Sequence, residues 1–198
     1  MVEIINSPKD IPYVRFNEEY NQAINLNQEM IQAMCISSYS EKNKEVNSRF
    51  VNLKFVNGKD FIFFSNYESV KAEEFIDNDK VSAVFYWNKT NTQIRIRGRI
   101  SKTSREYNLK YFATRGLDKN ALAISSRQSK PIDSYDEIIT KYNFIKSNSD
   151  LTECPKYWGG FQIRPYYFEF WKGHKSRLNK RDSYKLNQGH WIHSFLEP

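Results

Sequence analysis

Near its C-terminus the chain reads Glu169-Phe170-Trp171-Lys172-Gly173 and then Arg177-Leu178-Asn179-Lys180-Arg181. An indole on a strand, a glycine turn and two arginines four residues apart set a ring-stacking surface beside guanidinium forks, which suit phosphate or carboxylate. That is ligand-binding chemistry, although the same residues also suit an ordinary strand followed by a basic loop. Other cations are spread along the chain. Arg49 and Lys54 flank a short apolar strand, and their odd spacing sends them to opposite faces of it. Lys71 falls in the first turns of a helix capped by Ser65 or Asn66, where free N–H groups and the helix dipole favour an anion. Tyr111, Arg115 and Lys119 recur at steps of four, a stripe of phenol, guanidinium and ammonium for a single anion, but Gly116 interrupts the helix that would align them. Arg127-Gln128-Ser129-Lys130-Pro131 is a polar loop with amide and hydroxyl groups able to read a ring edge. Each cation also suits a plain solvated surface.

The net charge of +7 favours an anionic partner: nucleic acid, a membrane surface or a phosphorylated small molecule. The longest apolar runs, such as Phe61-Ile62-Phe63-Phe64 and Val84-Phe85-Tyr86-Trp87, fall far short of the roughly 20 residues that span a bilayer. No membrane partner is expected. Acidic residues and Pro8 stand where a signal peptide needs a basic start and an apolar stretch, so the expected compartment is the cytoplasm. Cys35 and Cys154 lie far apart, outside any metal or disulfide pattern, and His190 and His193 face opposite sides of a strand-like segment; no metal site is expected. The stripe Arg95, Arg97 and Arg99 is the one feature favouring nucleic acid, and it lacks the interleaved aromatics that single-strand binding wants.

Strands and short helices must position these groups. With 14 Phe, 13 Tyr and 4 Trp against 7 Gly and 6 Pro, the chain can bury one substantial core. Residues 1–16 read as an irregular arm and 17–32 as a helix, with Tyr20, Ile24, Met30 and Ile31 near helical spacing. Strands are predicted over 33–36, 50–56 and 61–64, with Asn57-Gly58 as a hairpin turn, and then over 81–87 and 92–100. Helices are predicted over 67–77, 104–114, 118–124 and 133–146. The chain closes with strands over 161–164, 168–171 and 191–195. About seven strands with no βαβ alternation indicate a mostly β, α+β architecture: an antiparallel barrel with peripheral helices.

The order of these pieces resembles the flavin-dependent pyridoxamine 5'-phosphate oxidase family from about Ala33 to Pro198. The resemblance rests on Arg49-Phe-Val-Asn-Leu-Lys54, Phe64-Ser65-Asn66-Tyr67-Glu-Ser-Val-Lys71, Phe85-Tyr86-Trp87, Gln93-Ile-Arg-Ile-Arg-Gly98, Tyr111-Phe-Ala-Thr-Arg115 and Ser126-Arg-Gln128-Ser129. Trp158-Gly159-Gly160-Phe161, Glu169-Phe170-Trp171-x-Gly173, Arg177-Leu178-x-x-Arg181 and Leu196-Glu197-Pro198 complete it. No one piece is decisive; their joint order and spacing are specific.

The resemblance implies a Greek-key split β-barrel homodimer, with FMN at the subunit interface. Residues 1–32 would then be an N-terminal arm and helix, and 33–198 one FMN-binding split-barrel domain with a dimerisation segment at 155–198. By similarity, Arg49, Ser65 and Lys71 would hold the FMN phosphate and ribityl chain, with Phe50, Val51 and Phe64 lining the pocket. Gln93, Gln128, Ser129, Trp171 and Arg181 would complete the flavin site, some of them from the second chain. Lys54, Tyr111 and Arg115 would grip a substrate phosphate, and Arg177 would be the catalytic residue over the pyridine ring. The implied reaction oxidises pyridoxamine or pyridoxine 5'-phosphate to pyridoxal 5'-phosphate, with O2 reduced to H2O2.

Three positions depart from the family pattern. Val70 stands where an arginine precedes the helix lysine, Lys119 where a serine helps hold substrate phosphate, and Asn179 where a histidine lies near the substrate. Lys119 and Asn179 are therefore expected in the substrate site, and they keep open a related oxidase acting on another substrate, as in phenazine biosynthesis. A flavin-binding protein without turnover is the further alternative.

Overall fold

A computed structural model describes residues 1–198. The backbone begins with a short strand β1 (Glu3–Ile5) and a helix α1 (Ile11–Asn25), followed by three strands, β2 (Ala33–Ser40), β3 (Glu45–Asn57) and β4 (Asp60–Asn66). Helix α2 (Val70–Asp77) leads to β5 (Lys80–Trp87) and β6 (Thr92–Lys102). Three helices, α3 (Arg105–Thr114), α4 (Leu117–Ser125) and α5 (Tyr135–Asn148), precede β7 (Trp158–Lys172), β8 (Lys180–Asn187) and β9 (His190–Leu196).

The strands pair as β3-β2-β5-β6-β7, and β4 joins β3 to β7, so six strands close an antiparallel barrel. β2, β3 and β4 form a meander, and α2 carries the chain back so that β5 lies beside β2, which is a Greek-key connection. β8 and β9 extend the sheet beyond the barrel, and β1 adds a parallel strand on β3. Alternation explains the interior: Met34 and Ile36, Ala83 and Phe85, Ile94 and Ile96, and Phe168 and Phe170 point inward from successive strands.

α1 belongs to the same core. Tyr13, Phe16, Tyr20 and Ala23 follow helical spacing and are buried with the barrel residues. Phe16 stands edge-on to Phe61 at 4.9 Å and to Phe85 at 5.6 Å. The helix predicted over 17–32 thus begins and ends earlier. Pro12 is tolerated in the first turn, where its missing N–H has no partner to lose, and positive φ angles at Asn27 and Met30 stop the helix.

Three further expectations change. The helix predicted from Tyr67 starts at Val70, with Ser69 at its N-cap position, because Asn66 and Ser69 first close a turn. The two strands predicted at 161–164 and 168–171 are one strand, because a bulge in β7 at Tyr166, opposite Arg97 and Gly98, absorbs Pro165 without breaking the ladder. Gly98 is required at that bulge: a Cβ there would lie 2.8 Å from the Arg164 carbonyl oxygen. Finally, residues 180–187, of which only Lys180 and Arg181 fall in the stretch that also suits a basic loop and the rest carry no predicted element, form β8.

If α1 is structural rather than a detachable arm, Phe16→Ala should lower the unfolding free energy by about 3–5 kcal/mol in a urea titration. A loss below about 0.5 kcal/mol, typical of surface substitutions, would contradict the packing.

Candidate functional site

The first cationic cluster lies where β4 gives way to α2. Asn66 Oδ1 accepts from the Glu68 amide at 2.7 Å, which turns the chain and leaves Lys71 as the second residue of the helix. The Lys71 side chain is buried. Its ammonium donates to Ser65 Oγ and Ser69 Oγ, both at 3.2 Å, and no carboxylate lies within ion-pairing distance. Burial pushes the amine down to about 8, and repulsion from Arg49 adds to the shift while Glu74 opposes it. Ser65 Oγ in turn donates to Gln128 Oε1 at 2.9 Å, and the Asn66 amide donates to the same oxygen at 3.3 Å, so the 126–133 loop is tied to this corner. Ser129 follows in that loop with φ +69°.

Arg49 stands next to this corner already partnered. It donates to Ser38 Oγ at 2.5 Å and to Glu74 Oε2 at 2.8 Å, and Asn47 donates to Glu74 Oε1 at 2.8 Å. Phe50 points the other way, 75% exposed, and Val51 packs against the core. Val70 is exposed and adds no charge.

The second cluster lies on the outer face of the barrel. A bulge between Leu53 and Phe55 lets Leu53 and Val56 both enter the core, so Lys54 and Phe55 are turned outward. Phe55 and Phe64 receive α3: Tyr111 stacks on Phe64 at 3.9 Å and meets Phe55 edge-on at 5.2 Å. α3 stops at Thr114 and α4 starts at Leu117, so the helix does break before Gly116. Arg115, at the break, lies over the Trp158 ring at 4.3 Å and donates from Nη2 to the Lys119 carbonyl at 3.1 Å. Its Nη1 is buried without a partner. Burial lowers the Arg115 guanidinium, and it lowers the Lys54 amine, which Lys119 and Arg115 also repel. Three cations and a phenol therefore share one neighbourhood.

The third cluster is a row across three strands. Gln93 on β6 pairs with Trp171 on β7, which pairs with Arg181 on β8. The loop after β7 carries Arg177, with φ +62°, and Asn179, whose Oδ1 accepts from the His174 amide at 3.0 Å. Asn179 therefore shapes the loop that presents Arg177.

The structure thus brings together Ser65, Lys71 and Gln128, with Arg49 beside them; it brings together Lys54, Phe64, Tyr111, Arg115 and Lys119; and it sets Gln93, Trp171 and Arg181 in register. It does not unite all three groups within one chain. Trp158, which floors the second cluster, and Trp171 lie at opposite ends of β7, roughly 40 Å apart along the strand at the usual rise per residue. A concavity of 1380 Å³ between the 126–133 loop and α5 shares only Asn66, Gln128 and Ser129 with the first group. The Arg95, Arg97 and Arg99 stripe is occupied: Arg95 by Glu169, Arg97 by the Tyr167 ring at 4.0 Å, and Arg99 by Asp79.

Sequence reasoning gave no role to Glu74, Glu169 or Trp158, the groups that hold Arg49, Arg181 and Arg115. The latter two stood inside motifs quoted above, and only contacts across strands single them out. A buried ammonium with hydroxyl partners alone, and a buried guanidinium nitrogen with none, are two places where anionic oxygens would satisfy the chain. These donors fit the two phosphates that FMN and a phosphorylated substrate would bring.

The family described as Pyridoxamine 5'-phosphate oxidase matches residues 16–143, and the Pyridoxine 5'-phosphate oxidase C-terminal dimerisation region matches residues 158–198. The chain is 37% identical over 191 residues to pyridoxine/pyridoxamine 5'-phosphate oxidase 1 of Hydrogenovibrio crunogenus, spanning 94% of this chain and 88% of that one. It is 35% identical to the pyridoxine/pyridoxamine 5'-phosphate oxidase of Haemophilus influenzae, spanning 94% and 89%. PhzG of Burkholderia lata 383, solved with tetrahydrophenazine-1-carboxylic acid, superposes with a TM-score of 0.90 at 20% identity, spanning 96% of this chain and 94% of that one. A pyridoxamine 5'-phosphate oxidase-related, FMN-binding protein of Nostoc punctiforme gives 0.77 at 13% identity, spanning 92% and 97%. At these identities the two structures speak for the fold alone.

The Lys71 environment carries a pH dependence. An anion there is held by the ammonium, which is lost as pH rises through about 8. FMN affinity of the apoprotein, followed by quenching of flavin fluorescence, should weaken by about tenfold from pH 7.5 to 9.5, up to one proton being taken up on binding. In Lys71→Met that slope should vanish; an unchanged slope would remove Lys71 from the anion site.

Proposed function

The chain belongs to the pyridoxamine 5'-phosphate oxidase family, and on that premise we propose that it oxidises pyridoxamine or pyridoxine 5'-phosphate to pyridoxal 5'-phosphate, with FMN as cofactor. O2 is the electron acceptor and is reduced to H2O2; with the alcohol substrate these are the only changes, and with the amine substrate water hydrolyses the imine first formed and ammonia is released. The observation that carries this reading is the pair of separate anion-ready clusters on the motif residues, one around Lys71 and one around Arg115. Two phosphorylated ligands account for both.

In this reading Lys71 and Ser65 bind the FMN phosphate, with Arg49 held beside them and Gln128 and Ser129 closing the corner. Gln93, Trp171 and Arg181 frame the ring system. Lys54, Tyr111, Arg115 and Lys119 grip the substrate phosphate, and the Phe64–Tyr111 stack forms the apolar wall next to it. Arg177 lies over the pyridine ring and orients its exocyclic C4' carbon. FMN, when bound, supplies the two-electron acceptor that side chains lack. The chain's own contribution is orientation and charge: fixed cations hold both ligands so that the reacting carbon faces the flavin without a search.

The C-terminal dimerisation region makes the protein a homodimer. We assign FMN to the interface, because Ser65, Lys71 and Gln128 lie at the Trp158 end of β7, where Ser65 pairs with Gly159, while Gln93, Trp171 and Arg181 lie at its other end, too far away in a single chain for one mononucleotide to touch both groups. A second copy supplies the missing end. The compartment assigned is the cytoplasm, in keeping with two free thiols, Cys35 and Cys154; no helix is long and apolar enough to cross a membrane.

The purified protein should be yellow, and in air it should convert pyridoxamine 5'-phosphate to pyridoxal 5'-phosphate with release of peroxide. A colourless protein that FMN cannot reconstitute would refute the oxidase reading. A yellow protein inert to the vitamer would transfer the assignment to another substrate on this scaffold, the reading that Lys119 and Asn179 favour. Arg177→Ala should lower kcat by about a hundredfold with FMN still bound, the scale expected when a positioning contact is lost. Loss of flavin from that variant would show that Arg177 serves the cofactor instead.

A further inference from the structure

Glu169 is a carboxylate that should not be buried where it is. It lies on the outer face of β7 with Tyr167 and Trp171, while Phe168 and Phe170 fill the core, and yet its side chain is only 2% exposed. Charged groups screen it. Arg181 donates to Oε1 from Nε at 3.0 Å and from Nη2 at 2.8 Å, a two-pronged contact. Arg95 donates to Oε2 at 3.0 Å and the Tyr167 hydroxyl donates to the same oxygen at 2.9 Å. On its other side Arg181 donates from Nη1 to the Glu197 carbonyl at 2.8 Å, so the guanidinium is clamped at both ends. One N–H on each terminal nitrogen remains free to donate.

Resting on the FMN reading above, we propose that Glu169 is a positioning residue for the flavin: it fixes the Arg181 guanidinium in one orientation beside Trp171 and does not itself touch the cofactor. The register supports this. Arg181 pairs directly with Trp171, so an unrestrained arginine would be free to swing away from the indole or across it. The bond to Glu169, two residues back along β7 and on the same face, holds the fork on the face of the sheet that carries Trp171. Arg95, in register with Glu169, supplies a second counter-ion, so the carboxylate is satisfied whether or not Arg181 is donating to a ligand. The Glu197 carbonyl adds the chain terminus to the clamp, which couples the last residues of the dimerisation segment to the same guanidinium.

A double-mutant cycle on FMN binding tests this, because a residue acting through another loses its effect when that other is gone. FMN is titrated into apoprotein of the native sequence, Glu169→Gln, Arg181→Gln and the double variant, and the dissociation constant is read from flavin fluorescence. Each single variant should bind about tenfold more weakly, and the double variant about tenfold rather than a hundredfold. Both single variants should shift the bound flavin's absorption band in the same direction. Native affinity in Glu169→Gln overturns the proposal, as does a double variant in which the two losses multiply. Glu169→Asp keeps the charge but withdraws the carboxylate by one methylene, so it tests the same idea if the neutral variant does not fold: a several-fold loss of FMN is expected, and unchanged affinity overturns it. A native-sequence protein that does not bind FMN at all overturns the oxidase reading itself, a result distinct from any of these.

Discussion

Closure of the barrel by β4 is the constraint on which the site depends. β4 hydrogen-bonds to β3 along one edge and to β7 along the other, and its last residues are where the sheet meets α2 and α3. Pairing of Phe64 with Gly160 and of Asn66 with Trp158 lays the Trp158 indole parallel to the Phe64 ring at 5.2 Å. Tyr111 stacks on the same phenylalanine, and Arg115 lies over the same tryptophan. One strand register thus builds the aromatic floor of one cationic cluster, while the next residue, Ser65, is the hydroxyl that receives Lys71 of the other. A slip of one residue would turn Phe64 inward and Ser65 outward, and both clusters would be lost together.

Charge is sorted in a consistent way across the molecule. Arg49, Arg181 and Arg15 are matched by the buried carboxylates Glu74, Glu169 and Asp182, each within 2.8 Å. Such pairs add little net stability, because desolvation offsets their attraction, but they fix geometry, and removing one partner strands a charge. Lys71 and Arg115 are different. The first has only hydroxyl groups around its ammonium, and the second has a buried nitrogen with no acceptor. Paired cations form the frame, while Lys71 and Arg115 carry charge that no carboxylate of the chain matches. The depressed amine of Lys71 expresses the cost of that arrangement in the chain alone.

Much of the architecture was legible in the pattern of residues. Alternation located β5 and β6 to within a residue or two, Asn57-Gly58 marked the hairpin between β3 and β4, and Ser104 marked the start of α3, where its hydroxyl accepts from the Tyr107 amide. What escaped had physical causes. α1 was displaced because Tyr13 and Phe16 lie next to Pro12, which reads as a breaker until it is seen in a first turn. β7 was split because Pro165 ends a strand unless the strand bulges beside it, as β7 does at Tyr166. β8 was not predicted, because burying Asp182 makes sense only once Arg15 from α1 and His193 from β9 arrive to satisfy it.

By itself the sequence determined the order and spacing of the motifs, and hence the family, because residue type and spacing along a strand or helix are local properties. It also determined that the helix carrying Tyr111 breaks before Lys119, since Gly116 is a local signal. Only the tertiary structure decided which cations are already matched and which are free. The partners of Arg49 and Arg181 sit on other elements, and a counter-ion at 2.8 Å is a fact of packing that no spacing records. It decided, too, that Gln93, Trp171 and Arg181 form one row and that this row lies a full strand away from Trp158, because register and strand length are set by the hydrogen-bonded ladder.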